Sequence, residues 1–168
     1  LFSKGLINRE DVEVRFYGPE NDLLMKTIEK FGLSDVVKCH GVISREESLV
    51  KQRESQVLLQ LNWEDPHEKG VYTGKIFEYL AAQRPILVTG GFGNDVTEAL
   101  IRETNSGTYC PTVGDTENAL MKMYSEYRSE GAVSYKGNLE KINKYSYREM
   151  ARRFAEIMDD LTDTRQRA

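Results

Sequence analysis

The chain has 168 residues, of which 39% are hydrophobic and 30% are charged, and its formal net charge is −4. This length and composition are typical of one globular domain, or of the larger part of one, and exclude collagen-like, low-complexity and globally disordered chains. The slight acidic excess argues against a dedicated nucleic-acid-binding protein, because such proteins carry a basic surplus. The sequence predicts neither a membrane-spanning helix nor a signal peptide.

Short runs that are apolar or alternate in polarity recur along the chain, as is typical of β-strands. These runs are Val12–Tyr17, Val36–Cys39, Gln56–Leu61, Pro85–Thr89 and Thr108–Cys110. Amphipathic segments, typical of helices, lie between and after them. Three of these segments begin with the pattern of a capping box: Ser44 with Glu47, Asp95 with Glu98 and Ser146 with Glu149. We predict helices over 19–32, 44–53, 74–83, 95–104, 115–129 and 146–161, a loop-like break from 130 to 145, and a frayed tail over 162–168.

Alternation of strands with helices predicts an α/β fold in which a Rossmann-like parallel sheet is covered by helices on both faces. Ligands of such sheets bind at the carboxyl ends of the strands. We therefore expect functional residues in the loops that follow strands, namely Gly18–Asn21, His40–Ser44, Asn62–Thr73 and Gly90–Asp95.

The remaining features concern packing. Cys39 and Cys110 cannot form a disulfide framework and lack the spacing of a metal site, so we expect buried thiols in a reducing cytoplasm. Tyr147 and Phe154 share one apolar face of the last helix. Their spacing predicts packing in the core or against another domain.

The segment from Gly70 to Val88 carries Lys75 and Glu78 on a helix, followed by small residues and a strand that begins with proline. It resembles the donor-binding region of retaining GT-B glycosyltransferases, the class called family 4 or glycosyl transferases group 1. Four further segments resemble that family in order and spacing. They are Val14–Gly18, Gly32–Gly41, Gly90–Glu98 and Tyr145–Asp159.

This resemblance implies that residues 1–161 form the C-terminal, nucleotide-sugar-binding half of a GT-B fold. It also implies that the first strand of that fold and an acceptor-binding N-terminal domain belong ahead of residue 1. The chain alone would then bind its donor without appreciable turnover. One departure is that position 70 is glycine, where the family often carries the first of two glutamates spaced eight apart; Glu78 fits the second.

The residues to which the resemblance gives a catalytic role are Lys75 and Glu78. Glu78 would accept hydrogen bonds from the ribose hydroxyls, and Lys75 would neutralise the diphosphate leaving group. Backbone N–H groups at the start of the helix would face the same anion, since a helix N-terminus favours negative charge. They belong to Val71, Tyr72, Thr73 and Gly74. The ordinary alternative is an ion pair between Lys75 and Glu78 on a capped helix.

Three other groups of residues complete the predicted site. The resemblance implies that the nucleobase meets main-chain groups of Gly41, Val42 and Ile43, while Gly18 allows close approach of the backbone. Glu64 and Glu68 are possible sugar contacts. Acidic residues and a histidine in the loop 62–69 match no standard metal motif, and the resemblance implies no catalytic metal, so we predict no metal and no cofactor.

The function implied is transfer of a sugar from a nucleoside-diphosphate sugar to an acceptor hydroxyl, with retention of configuration. Two alternatives remain open: a GT-B nucleotide-sugar epimerase, and a nucleotide- or protein-binding module without chemistry. The expected partners are the sugar donor and, through the N-terminal domain, a saccharide or lipid-linked acceptor. We expect a cytoplasmic protein whose full-length form is peripheral at the membrane.

Overall fold

The computed structural model describes residues 1–62, 67 and 71–166, with side chains described as far as Thr162. The strands are β1 (Val14–Phe16), β2 (Val37–Cys39), β3 (Leu58–Leu61), β4 (Ile86–Thr89) and β5 (Gly107–Cys110). The α-helices are α1 (Asp22–Lys30), α2 (Arg45–Glu54), α3 (Gly74–Ala82), α4 (Val96–Thr104), α5 (Val113–Glu130), α6 (Leu139–Asn143) and α7 (Tyr147–Gln166). Two 3-10 helices, Phe2–Lys4 and Arg9–Asp11, precede β1.

Every strand pair in the described residues is parallel. β1 pairs with β2, and in a second sheet β3 pairs with β4 and β4 with β5. The predicted α/β fold with parallel strands is therefore confirmed, but the strands form two sheets rather than one, β1–β2 and β3–β4–β5. The first strand that the resemblance places ahead of residue 1 stays a prediction.

The core is centred on β4, whose side chains alternate between two buried faces because successive residues of a strand point to opposite sides. On one face the core joins β4 to α3, α4 and α6. Its residues are Ile76, Leu80, Ile86, Val88, Leu100, Ile101 and Ile142. On the other face Leu87 packs with Cys110 and Ala119, which lies on α5. Helices therefore cover both faces of this sheet, as the sequence predicted.

Local capping signals place the helix starts. The Ser44 side chain and Glu47 form the predicted capping box that opens α2. The Asp95 side chain accepts from the Glu98 amide, but the Glu98 carboxylate accepts from the Asn94 amide instead, so the second predicted box is only half formed. A box between Thr112 and Asp115 starts α5 two residues earlier than predicted.

Two predictions about packing are wrong. The break from 130 to 145 contains α6, whose Ile142 is buried in the core. Cys39 is exposed, whereas Cys110 is buried as predicted and burial raises the pKa of its thiol. Phe154 is 66% exposed and Tyr147 is 79% exposed, so the apolar face of α7 lies outside the core, and packing of this face against another domain stays a prediction. Among the described helices, none is both long and apolar enough to cross a bilayer.

Arg9 joins the N-terminal segment to the turn between α1 and β2. Its Nε donates to Asp35 Oδ2 at 2.7 Å, and its Nη2 donates both to Asp35 Oδ1 and to the Gly32 carbonyl oxygen, the latter at 2.6 Å. The hydrogen bonds from Arg9 lower the pKa of Asp35 from 3.8 to about 2. The folded state therefore favours the ionised carboxylate.

We expect this carboxylate to contribute acid-dependent stability. Because its pKa is lower in the folded state, the contribution is present above pH 3.8 and is lost as the pH falls from 3.8 towards about 2. Thermal unfolding at several pH values measures it. Asp35→Asn should flatten the acid limb of the curve, while Glu54→Gln, which breaks only an exposed pair with Lys51, should leave that limb unchanged. Equal acid limbs for Asp35→Asn and the native chain would contradict the assignment.

Candidate functional site

The carboxyl ends of β1 and β2 bring two predicted glycines together. The Gly18 amide donates to the Gly41 carbonyl oxygen at 2.8 Å, and the His40 amide donates to Phe16. The Tyr17 and His40 rings stack, with centroids 4.9 Å apart. Gly41 has a φ of 72° with open space where a side chain would begin, so the chain turns here and leaves its backbone accessible.

From Gly41 the chain runs along the sheet edge into α2. Val42 is 76% exposed, and Ser44 caps the helix that Arg45 begins. The Arg45 guanidinium lies 3.5 Å from Glu78 Oε1. The predicted ribose-contacting carboxylate is therefore within reach of a side chain at the start of α2, two residues after the predicted base-contacting loop.

Glu78 lies against α2 instead of pointing into bulk solvent. Its side chain is 32% exposed, and its Oε2 accepts a hydrogen bond from Gln52 Nε2 at 3.3 Å. The described ion pair of Glu78 is thus with Arg45 and not with Lys75, as the ordinary alternative had it. A carboxylate offers about four acceptor sites, so Glu78 can accept two hydroxyl hydrogen bonds in addition to its contacts with Arg45 and Gln52.

The start of α3 supplies positive potential beside Glu78. Thr73 occupies the N-cap position but its side chain makes no capping bond, and its Oγ1 is buried without a partner among the described residues. Gly74 and Lys75 are exposed, whereas Ile76 and Leu80 anchor the helix in the core. The Ile76 amide donates to the Thr73 carbonyl oxygen at 3.1 Å. The positive end of the helix dipole and the Lys75 ammonium lie together at this end of α3.

The ring of Tyr72 lies on a different flank of α3 from Glu78. It contacts Phe77 edge-on, with centroids 5.6 Å apart, and Phe77 in turn stacks on Tyr145. Burial, followed by the nearby Glu103 charge, raises the pKa of Tyr72. What Tyr72 can offer a ligand beside Glu78 is thus its main chain, as for Val71, which is 54% exposed.

The glycine loop after β4 is fixed by side chains that the sequence did not single out as a group. The Tyr109 hydroxyl donates to Asp95 Oδ2 at 2.6 Å and accepts from the Gly93 amide at 3.3 Å. Asn62 donates to the same carboxylate oxygen at 3.1 Å. A Cβ on Gly91 would lie 2.4 Å from the Tyr109 hydroxyl oxygen, so this position requires glycine. Hydrogen bonds from Tyr109 and Asn62 therefore hold this loop in place.

Some predicted site residues lie outside the part that the structure describes. Glu64 and Glu68, the possible sugar contacts, are among them, as is Gly70. His67 is described and exposed. Among the described residues, no group of three or more His, Cys, Asp or Glu could hold a metal ion.

Arg45 is the residue beside this site that sequence reasoning missed. Its only sequence signal is its place directly after the Ser44 cap. Its nearness to Glu78 depends on how α2 and α3 pack. Asn62 and Tyr109 were missed for a similar reason, since Asn62 follows β3 and Tyr109 lies on β5, and these strands flank β4 on either side.

Comparison with known proteins supports the fold. No protein-family model matches the chain, and no curated protein sequence matches it. A solved structure described as "AviGT4, a glycosyltransferase involved in Avilamycin A biosynthesis" aligns with 95% of this chain at a TM-score of 0.58 and 14% sequence identity. The chain has a glycosyltransferase fold. It spans 46% of the solved chain, so the comparison concerns about half of that protein.

Proposed function

We propose that this chain is the donor-binding domain of a retaining glycosyltransferase, which takes a sugar from a nucleoside diphosphate and passes it to an acceptor hydroxyl. The likeness to AviGT4 supports the glycosyltransferase class, while donor binding, the retaining outcome and the acceptor rest on the sequence resemblance. The observation that carries the proposal is the place of Glu78. It lies half-buried on α3, one turn after the exposed start of that helix, and its carboxylate faces Arg45 and Gln52 of α2, the helix that begins just after the loop that follows β2.

With Glu78 in this place, the base, the ribose and the diphosphate of a sugar donor would each have a protein group to bind. The base would meet main-chain groups of Gly41, Val42 and Ile43, and the ribose hydroxyls would donate to the Glu78 carboxylate. The diphosphate would then face Lys75 and the first amides of α3, where a helix N-terminus favours an anion. Gly18, hydrogen-bonded to Gly41, would border the base.

This domain would contribute to catalysis through electrostatic stabilisation of the leaving group. In the transfer, the bond between the anomeric carbon and the diphosphate oxygen breaks, and its electron pair stays on the diphosphate. The acceptor oxygen bonds to the anomeric carbon and loses its proton. Lys75 and the amides at the start of α3 would stabilise the charge that develops on the departing phosphate, because fixed donors aimed at a growing charge lower the barrier. Because acceptor binding is assigned to another domain, we propose that this domain binds without appreciable turnover.

Calorimetric titration with UDP, GDP and ADP tests the proposal. We expect at least one of them to bind with a dissociation constant in the millimolar range or below. Glu78→Gln should weaken that binding by about tenfold, because hydrogen bonds to charged groups contribute about 1.5–3 kcal/mol.

Glu54→Gln is the matched control, since it also removes a carboxylate charge and an ion pair, but from the far end of α2. It should bind nucleotide like the native chain. No binding of any of the three nucleotides at millimolar concentration would count against a donor-binding role. Equal affinity in the native chain and Glu78→Gln would mean that Glu78 takes no part in donor binding.

A further inference from the structure

The start of α3 differs from the starts of the other described α-helices in how it is held. Each of the other six begins after a side chain that accepts a hydrogen bond from an amide of the first turn. These side chains belong to Asn21, Ser44, Asp95, Thr112, Asn138 and Ser146. Thr73 occupies the same position in α3, and its side chain makes no such bond. A different kind of contact therefore orients the chain where it enters α3.

Two aromatic rings supply this contact. Tyr72 directly precedes Thr73, and its ring meets the ring of Phe77 edge-on, with centroids 5.6 Å apart. Phe77 is the fourth residue of α3. An apolar contact between the residue before the N-cap and the fourth helical residue is a hydrophobic staple, which fixes the angle at which the chain enters the helix. The pair of Tyr72 and Phe77 therefore does the orienting that a side-chain cap does elsewhere.

The staple rests on the core of the domain. Phe77 and Tyr145 both pack against the core beside β4, and their rings stack with centroids 6.2 Å apart. The Tyr145 hydroxyl donates to Glu103 Oε2 on α4 at 2.6 Å. Because core residues are closely packed, they hold the Phe77 ring in one place. Phe77 therefore gives the ring of Tyr72 a fixed surface to contact.

A ring staple and a side-chain cap leave different groups for a ligand. A capping oxygen accepts a hydrogen bond from an amide of the first turn and adds negative charge at the positive end of the helix dipole. Two rings in contact do neither. The staple therefore orients the start of α3 without taking up an amide or opposing an anion. A binding segment that is ordered before the ligand arrives binds more tightly, because less entropy is lost on binding.

We propose that Tyr72 is a positioning residue for the diphosphate of the sugar donor. Its ring, stapled to Phe77, holds the main chain of Val71–Gly74 in the conformation that receives the anion. This inference rests on the proposed function and deepens it. The base and the ribose are assigned to other residues, so loss of the ring should affect recognition of the phosphates alone.

Calorimetric titration with the tightest-binding of UDP, GDP and ADP, and with the corresponding nucleoside, tests the proposal. We expect Tyr72→Ala to weaken diphosphate binding by about three- to tenfold, the range that an edge-to-face ring pair is worth, and to leave nucleoside binding unchanged. Tyr72→Phe, the conservative variant that keeps the ring, should restore native affinity. A general loss of stability would instead weaken both ligands.

Tyr127→Ala is the matched control. Tyr127 is 36% exposed and Tyr72 is 38% exposed, but Tyr127 lies on α5, which packs on the opposite face of β4 from α3. This variant should bind both ligands like the native chain. The heteronuclear ¹⁵N NOE of the ligand-free chain measures the ordering itself. We expect it to fall at Thr73 and Gly74 in Tyr72→Ala and to keep its native value in Tyr72→Phe.

Equal losses of diphosphate and nucleoside binding in Tyr72→Ala would overturn the proposal, because the ring would then act on the whole site. A loss of diphosphate binding in Tyr72→Phe as large as in Tyr72→Ala would assign the effect to the hydroxyl and not to the ring. Native diphosphate affinity or a native NOE in Tyr72→Ala would overturn this inference alone, provided that the native chain binds nucleotide. A native chain that binds none of the three nucleotides would overturn the proposed function as well.

Discussion

Gly107→Ala is expected to destabilise the protein by about 3 kcal/mol or more, at the upper end of what an added methyl group costs in a packed core. Gly107 starts β5 and lies opposite Ile86 of β4. A Cβ built there would lie 1.9 Å from the Ile86 carbonyl oxygen and 2.8 Å from its nitrogen. Because these are backbone atoms of a fully buried residue, they cannot rotate away. The added methyl group must push β5 off β4.

Urea unfolding followed by circular dichroism measures this loss. Gly114→Ala is the matched control, because Gly114 lies in the first turn of α5 and the nearest atom to its Cβ would be Thr112 Oγ1 at 3.8 Å. Alanine is favoured over glycine within a helix, so this variant should gain about 0.5–1 kcal/mol. If Gly107→Ala unfolded at the same urea concentration as the native chain, the pairing of β4 with β5 in this register would be wrong.

Lys75→Ala is expected to weaken binding of a nucleoside diphosphate by about tenfold, near the lower end of the effect of a hydrogen bond to a charged group, because Lys75 is exposed. It should leave binding of the corresponding nucleoside, which has no phosphate, unchanged. Glu78→Gln should instead weaken both ligands, since both contain the ribose. The two variants thus assign different parts of the ligand to two residues that are three positions apart.

Titration calorimetry at two salt concentrations measures the Lys75 effect, and the loss should shrink at high salt because exposed charges are screened. Lys122→Ala on α5 is the control, since it removes the same charge from an exposed position on a helix that packs on the opposite face of β4 from α3. Equal losses for diphosphate and nucleoside in Lys75→Ala would mean that this side chain does not recognise the phosphates.

Local sequence signals predicted those helices and strands whose positions depend on residues that are close in sequence. The capping box of Ser44 with Glu47 fixed the start of α2, and the apolar run after Pro85 gave the buried strand β4. Helix α6 was missed because it has five residues, and its burial through Ile142 depends on α3 and α4. The period of α7 predicted an apolar face correctly, but a period does not say what covers that face.

In the candidate site, too, the sequence predicted some features, while others depend on tertiary packing. The positions of Lys75 and Glu78 on one helix followed from periodicity, and their roles followed from the family resemblance. The contact of Glu78 with Arg45 and Gln52 depends on the packing of α2 against α3, which no local pattern encodes. Likewise, Tyr109 and Asn62 meet Asp95 because β3 and β5 flank β4. The need for glycine at position 91 arises only from that arrangement.

The central claim is that the loop after β2 and the start of α3 together form one nucleotide-binding edge. Amide chemical-shift mapping of the ¹⁵N-labelled chain, titrated with the tightest-binding of UDP, GDP and ADP, tests it directly. We predict saturable shifts that share one dissociation constant at Gly18, at Gly41–Ile43 and at Gly74–Glu78. Saturable shifts confined to residues outside these three segments, or no saturable shift with any of the three nucleotides, would contradict the claim.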